Sequence, residues 1–212
     1  MISIIIATHN HGAVLAETLD ALVPAAIDGL VREVIIADGG STDATFAIAD
    51  GYGTDVITAS GGIAAGLNAA LEAARCQWVL VLPADVRLQP GFERTIATCI
   101  ARGDGVAAIL PIMEASRFAQ AASYFRRLWA PRSVTERDGL LIGRSAFSRL
   151  GGFRPAETPK NGAVVHISRL DVVPLPAIAQ RSCDAGAERG PKDMWPFWRR
   201  RLRKSATQTS VT

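Results

Sequence analysis

The sequence predicts an α/β domain: a mainly parallel sheet with helices on both faces. Three observations carry this. Strand-like and helix-like segments alternate from residue 2 to residue 112, the pattern of repeated strand–helix–strand units. The best strand segments, such as Ile4-Ile5-Ile6-Ala7 and Val79-Leu80-Val81-Leu82, are unbroken apolar runs, as expected of strands covered on both sides. Three of these strands stop abruptly at polar residues, at Thr8, Asp38 and Asp85. Right-handed crossovers place those three ends along one edge of a parallel sheet, where open α/β sheets bind ligands.

Each element follows from local pattern. Residues 2–7 form the first strand, ended by the turn-forming cluster Thr8-His9-Asn10-His11-Gly12. A helix follows, with Val14, Leu15, Leu19 and Leu22 at helical spacing, and Pro24 is expected to bend or end it. Residues 32–37 are the second strand. It stops at Asp38-Gly39-Gly40-Ser41-Thr42-Asp43, where two glycines let a ligand approach the backbone. Ser41 or Thr42 is placed to cap the next helix, with Asp43 in its first turn. That helix carries Phe46, Ile48 and Ala49 and stops near Gly51-Tyr52-Gly53. Residues 55–59 are a short third strand, and Ser60-Gly61-Gly62 opens an alanine-rich helix over 63–75. Residues 78–82 form the fourth strand, closed by Pro83-Ala84-Asp85. Pro90-Gly91 starts a helix through Phe92, Ile96 and Ile100, and 106–112 is a fifth strand. The second half is less regular. A helix is predicted over 114–130 with an aromatic and basic face, a strand over 140–143, and a helix over 145–150 halted by Gly151-Gly152-Phe153. Residues 164–168 fit either a strand or the start of a helix, 184–193 a polar loop, and the last eight residues disorder. No internal repeat is present.

Composition narrows the class. At 212 residues, 49% hydrophobic and 20% charged, the chain suits one well-packed globule. No apolar run is long enough to span a membrane, and the first residues read as a strand, without the basic start and cleavage site of a signal peptide. Cys76, Cys99 and Cys183 are odd in number and lack metal-ligand spacing, so free thiols in a reducing, cytoplasmic compartment are expected. Of 23 basic and 20 acidic residues, eight and three lie in 181–212, leaving fifteen and seventeen elsewhere. The basicity belongs to the tail. We divide the chain into a domain over 1–182 and a basic aromatic tail over 183–212.

Together the motifs resemble family 2 glycosyltransferases, inverting enzymes of the GT-A fold, a Rossmann-like three-layer sandwich. The resemblance runs from Ile2 to about Leu170. It rests on Ser3-Ile4-Ile5-Ile6-Ala7-Thr8-His9-Asn10, on Glu33-Val34-Ile35-Ile36-Ala37-Asp38-Gly39-Gly40-Ser41-Thr42-Asp43, and on Gly62 with Asn68. Leu80-Val81-Leu82-Pro83-Ala84-Asp85, Gly143-Arg144 and Leu150-Gly151-Gly152-Phe153 extend it. The Asp-Gly-Gly-Ser-Thr-Asp block is the most specific, and its form looks most like a small bacterial subgroup. The resemblance implies a nucleotide-sugar donor held by Thr8, His9, Asn10, Asp38, Gly39, Gly40, Gly62, Asn68 and Ala84. It also implies Mg²⁺ or Mn²⁺ on the donor diphosphate through Asp85, oxygen chemistry that suits either ion. The acceptor is unspecified, with lipid-linked and polysaccharide acceptors both expected of such enzymes.

Two departures fall on the chemistry. Where the family has an Asp-x-Asp motif this chain reads Pro83-Ala84-Asp85, so one acid is missing. Where an acidic pair should supply the general base it has Gly162-Ala163. Glu157, His166 and Asp171 lie nearby as substitutes. A second reading is therefore a homologue that keeps the fold and nucleotide binding but has lost transfer, acting as an interaction module. A nucleotidyltransferase fits less well, because Thr8 to Gly12 supplies no glycine-rich loop with a basic residue. In the tail, Trp195, Phe197 and Trp198 precede five basic residues within 199–204. Over 195–204 this composition suits peripheral contact with an anionic membrane surface, at the inner face of the membrane. It equally suits an amphipathic helix packed on the domain. Nucleic acid is not expected as a partner.

Overall fold

The computed structural model describes residues 1–103, 106–110, 112–113, 133–156, 163–166, 171–174 and 179–181. The first half runs β1 (Ile2–Thr8), α1 (Gly12–Ile27), β2 (Val31–Asp38), α2 (Thr45–Gly51), β3 (Asp55–Thr58), α3 (Gly62–Ala73), β4 (Trp78–Pro83), β5 (Val86–Leu88) and α4 (Phe92–Ile100). The second half adds β6 (Val106–Leu110), β7 (Ile112–Met113), β8 (Ser133–Thr135), β9 (Gly139–Gly143), α5 (Arg144–Leu150), β10 (Arg154–Pro155), β11 (Ala163–His166), β12 (Asp171–Pro174) and β13 (Ala179–Arg181). A seven-stranded sheet has the order β12-β6-β9-β4-β1-β2-β3. All its pairings are parallel except those of β9, which runs antiparallel to both β4 and β6. Two three-stranded sheets, β10-β11-β8 and β5-β13-β7, flank it. The predicted α/β domain with a mainly parallel sheet is what forms.

The apolar runs are unbroken because both faces of the sheet are covered. Ile4 and Ile6 join Val34, Ile36, Leu80 and Leu82 beneath Leu15, Leu19 and Leu22 of α1. Ile5 and Ala7 join Ile35, Ala37, Val79 and Val81 against Leu67, Ala70 and Leu71 of α3, with Phe147 and Phe153. All seven residues of β1 are buried. At roughly 2 kcal/mol for each isoleucine taken from water, β1 anchors both layers.

Several local expectations are corrected. Pro24 does not end α1, which continues to Ile27. The missing N–H costs one bond in the last turn, while Ala25 and Ala26 beyond it are buried. The expected strand over 106–112 is instead two strands, Val106–Leu110 and Ile112–Met113, in different sheets. Of the two readings left open for 164–168, a strand forms over Ala163–His166. Phe46 is 41% exposed and so does not serve the core. Cys76 and Cys99 are buried free thiols. The predicted helix over 114–130, the polar loop and tail from 184 onward, and Cys183 lie outside the described residues.

Candidate functional site

The register of the sheet decides where the polar strand ends meet. Thr8 lies opposite Asp38, and Ala7 opposite Pro83. Ala84 N–H then bonds Ala7 O at 3.1 Å. Thr8, Asp38 and the Pro83-Ala84-Asp85 turn therefore share the carboxyl edge of three adjacent parallel strands, as the sequence led us to expect. Ala84 is fixed on both sides, since the buried Thr18 hydroxyl donates to Ala84 O at 2.7 Å. Asp85 is half-buried in the turn that follows.

Asp38 is fully buried. Its Oδ2 accepts the N–H groups of Gly40 (2.8 Å) and Ser41 (2.7 Å), and its Oδ1 accepts the Ser41 hydroxyl. The turn this holds requires Gly40, whose φ of +94° favours glycine. A carboxylate offers about four acceptor sites, so the turn consumes most of Asp38. A nucleoside contact would have to use what remains at Oδ1.

The loops after β1 and β2 are stitched together. Asn10 N–H donates to Ser41 Oγ at 2.8 Å, and Asn10 Oδ1 accepts Thr42 N–H at 2.8 Å. Asn10 itself has φ +56°, the one described non-glycine residue in that region. Gly12 N–H donates to Asp43 Oδ2 at 2.8 Å, and Asp43 Oδ1 accepts the Thr45 N–H and hydroxyl. A Cβ on Gly12 would stand 3.0 Å from Asp43 Oδ2 and 3.2 Å from Thr45 N, so the close approach requires glycine. The helix cap expected from Ser41 or Thr42 does not form: Ala44 takes the N-cap position with no side-chain cap bond, and Asp43 lies ahead of α2 and not in its first turn. Burial pushes the Asp43 carboxyl up, but the bonds from the Thr45 side chain, Gly12 and the Thr45 backbone outweigh it and hold the group below its ordinary value. His9 is exposed and packs beside Gly39, its Cβ 3.4 Å from where a Gly39 Cβ would stand.

One hydroxyl in this array is orphaned. Thr8 is 2% exposed and its Oγ1 has no hydrogen-bond partner among the described residues. A buried unpaired hydroxyl costs about 1–3 kcal/mol, a cost that calls for a reason.

Gly62 opens α3 with φ +75° and open space where a Cβ would stand. Asn68, two turns on, is spent elsewhere. Its Nδ2 donates to Phe153 O at 2.9 Å and its Oδ1 accepts Phe153 N–H at 2.8 Å. The side-chain amide bolts the Gly151-Gly152-Phe153 segment to α3, and the Phe153 ring packs on Phe147 at 5.5 Å.

Of the three general-base substitutes, Glu157 lies outside the described residues. His166 is exposed at the end of β11, paired with Ser133 and three residues from Ala163. Asp171 pairs with Val106 at the start of β6. Since β6 and β4 both run antiparallel to β9, Asp171 begins at the amino edge of the sheet. At about 3.3 Å per residue, the four residues of β12 separate it from the ligand edge by roughly 13 Å. Sequence reasoning missed an acid that the topology does deliver. Because β9 runs downward, the turn before it reaches the carboxyl edge, bringing Glu136, Arg137 and Asp138 there. Glu136 Oε2 accepts Ala163 N–H at 2.8 Å. The only signal was a polar cluster, Thr135-Glu136-Arg137-Asp138, ahead of an apolar strand.

The sequence profile described as "Glycosyl transferase family 2" matches residues 3–154. The chain belongs to this family. The profile spans the stitched loops, the Asp38 turn, Asp85 and the Gly-Gly-Phe bolt. No curated protein sequence matches the chain. Solved structures agree on the fold. S. aureus TarS 1–349 superposes with a TM-score of 0.61 at 16% identity, over 85% of this chain and 60% of that one. The mannosyltransferase PcManGT from Pyrobaculum calidifontis, in complex with GDP-Man and Mn²⁺, gives 0.61 at 20% identity, over 94% and 60%. Glucosyl-3-phosphoglycerate synthase from Mycobacterium tuberculosis, in complex with Mn²⁺ and UDP-Glc, gives 0.56 at 18%, over 94% and 75%. The chain spans 60% of the length of the first two. These solved neighbours share the GT-A fold of this family 2 domain.

Proposed function

We propose that this family 2 domain transfers a sugar, with inversion, from a nucleotide-sugar donor to an acceptor hydroxyl, assisted by Mg²⁺ or Mn²⁺. The observation that carries the reading is the shared edge where Thr8, Asp38 and Asp85 meet beside an unpartnered buried hydroxyl. In this reading the donor nucleoside meets Thr8, His9, Asn10 and the Asp38-Gly39-Gly40 turn, completing the Thr8 Oγ1 hydrogen bond. Gly62 and Ala84 lie along its approach, and Asn68 acts through the Phe153 segment. The solved neighbours support the donor class: TarS 1–349 is known in complex with UDP-GlcNAc, and the other two with GDP-Man or UDP-Glc and Mn²⁺.

The donor set fits the metal in one particular way. Among the described residues no three His, Cys, Asp or Glu side chains gather into a cage. Asp85 offers a single hard carboxylate, which is how Mg²⁺ is ordinarily held when phosphates and water complete its shell. When bound there, the ion supplies the positive charge that stabilises a departing diphosphate. Asp85 then fixes the donor's orientation, and the Ala84 backbone, tied to Ala7 and Thr18, keeps Asp85 in place.

Binding should therefore be ordered. Mn²⁺ alone should leave the melting temperature unchanged, whereas Mn²⁺ with the correct nucleoside diphosphate should raise it, since ligand binding to the folded state must stabilise it. Asp85→Ala should abolish the metal-dependent part. No shift with any nucleoside diphosphate or nucleotide sugar would remove the reading.

A second reading, a homologue that binds but does not transfer, draws on the three bonds that already occupy most of Asp38 and on Gly162-Ala163 in place of acids. Metal-dependent binding without release of the sugar would favour it. We assign the domain to residues 1–182, propose a place in the small bacterial subgroup, and propose that 195–204 meets a membrane surface from the cytoplasmic side, serving a lipid-linked acceptor. No helix among the described residues is long and apolar enough to cross a membrane.

A further inference from the structure

The acids expected after the Gly-Gly-Phe motif are absent from β11, yet a carboxylate stands at that place. Ala163 is fully buried, its N–H donates to Glu136 Oε2 at 2.8 Å, and its carbonyl accepts Glu136 N–H at 3.1 Å. We infer that Glu136 is the general base of this chain: the turn between β8 and β9 delivers, from the neighbouring strand, the carboxylate that β11 lacks. The inference rests on the transferase reading and deepens it.

Position supports it. β9 pairs with β4 as Leu140 to Val81 and Leu141 to Leu80. Continuing that register sets Asp138 level with Pro83, on strands about 4.8 Å apart. The turn carrying Glu136 is thus level with the Pro83-Ala84-Asp85 turn. Rigidity supports it as well. Asp138 Oδ2 accepts the Thr135 N–H (3.1 Å) and hydroxyl (2.8 Å), and Asp138 N–H donates to Thr135 O. A carboxylate held at one oxygen, on a braced turn, is positioned for proton transfer.

Availability separates Glu136 from the other acids of this edge. Asp38 is bound by three donors of its own turn. Asp43 has both oxygens in the clasp. Asp138 braces its own turn, and Asp85 is assigned to the metal. Glu136 is half-buried, and among the described residues its Oε1 accepts no hydrogen bond. In the reaction, Oε1 takes the proton of the acceptor hydroxyl. The freed electron pair on that oxygen forms the bond to the anomeric carbon, as the bond from that carbon to the phosphate oxygen breaks and its pair leaves on the nucleoside diphosphate. With water as acceptor the same step releases the free sugar.

The test exploits what glutamine preserves. Glu136→Gln keeps an oxygen to accept Ala163 N–H, so folding and nucleotide binding should persist, but it cannot take a proton. Wild type, Glu136→Gln and Glu136→Ala are compared with UDP-GlcNAc, UDP-glucose and GDP-mannose plus Mn²⁺. Release of nucleoside diphosphate reports turnover, and the melting-temperature shift with UDP or GDP reports binding. The expected result for Glu136→Gln is a loss of turnover of about 10²-fold or more, with KM, melting temperature and nucleotide shift retained. Glu136→Gln with turnover within about threefold of wild type, while Glu136→Ala loses stability, would leave Glu136 only a brace for Ala163 and overturn the assignment. Wild type that binds none of the donors and releases no product removes the transferase reading itself, and the base falls with it. Wild type that binds but does not turn over overturns the base alone and leaves nucleotide binding standing.

Discussion

The amide bolt between Asn68 and Phe153 can be tested without knowing any substrate. Phe153 has a 3% exposed residue surface, and both of its backbone polar groups meet the Asn68 amide, at 2.8 and 2.9 Å. Asn68→Ala removes two hydrogen bonds and leaves an N–H and a carbonyl without their partner. At about 0.5–1.5 kcal/mol per bond, with a further penalty for each group left dry, the loss should be about 2–4 kcal/mol. Asn68→Asp sharpens the test. Ionised, it accepts Phe153 N–H but sets a second oxygen against the Phe153 carbonyl. Protonated, it donates to that carbonyl and accepts from the N–H, restoring the wild-type pattern. The neutral acid is therefore favoured in the folded state, and its folded pKa must lie above the ordinary aspartate value of about 3.9. The restored stability is present at low pH and fades as pH rises through that elevated folded value, by about 1.4 kcal/mol for each unit of elevation. Urea denaturation of wild type and both variants, at neutral pH and at about pH 4, measures this. Asn68→Ala costing under about 0.5 kcal/mol, or Asn68→Asp showing the same pH dependence as wild type, would refute the bolt.

Three other expectations follow from the same geometry. Gly152→Ala should cost more than Gly40→Ala: both sit at positive φ, +81° and +94°, but a Gly152 Cβ would stand 2.8 Å from Asn68 Oδ1, whereas nothing lies within 4 Å at Gly40; paired denaturation curves check the order. Thr8→Val removes the orphaned hydroxyl, so it should stabilise the ligand-free protein by up to about 1 kcal/mol while weakening nucleoside diphosphate binding; destabilisation with unchanged affinity would contradict the assignment of that hydroxyl to a ligand. Asp43→Asn should weaken the clasp, and because the folded Asp43 carboxyl sits below its ordinary 3.8, its contribution in wild type is present above that value and lost as pH falls through the lower folded one; urea denaturation of the two proteins across pH should show their stability difference shrinking towards the acid end.

Much of the site could be read before folding was considered. The apolar runs ending at Thr8, Asp38 and Asp85 follow from periodicity alone, because a strand covered on both faces has no polar residues until it reaches the edge. What could not be read were the partners of those residues. Asp38 is followed by Gly39-Gly40-Ser41, and only the turn geometry shows that their N–H groups converge on its carboxylate. Asn68 lies 85 residues from Phe153, a separation across which local pattern carries no information. Asp171 looked close to the missing acids along the chain, yet register with Val106 sets it on the opposite edge.

The sequence by itself determined the layers, the strand order of apolar and polar ends, and the family, since these depend on periodicity and short contiguous motifs. The tertiary structure decided which side chains are available for chemistry. That depends on hydrogen bonds between distant segments and on the direction of β9, whose reversal between β4 and β6 carries the Glu136 turn to the edge where Thr8, Asp38 and Asp85 already stand. A strand's direction is set by which neighbours bury its two faces, and no local stretch of residues 133–143 encodes it.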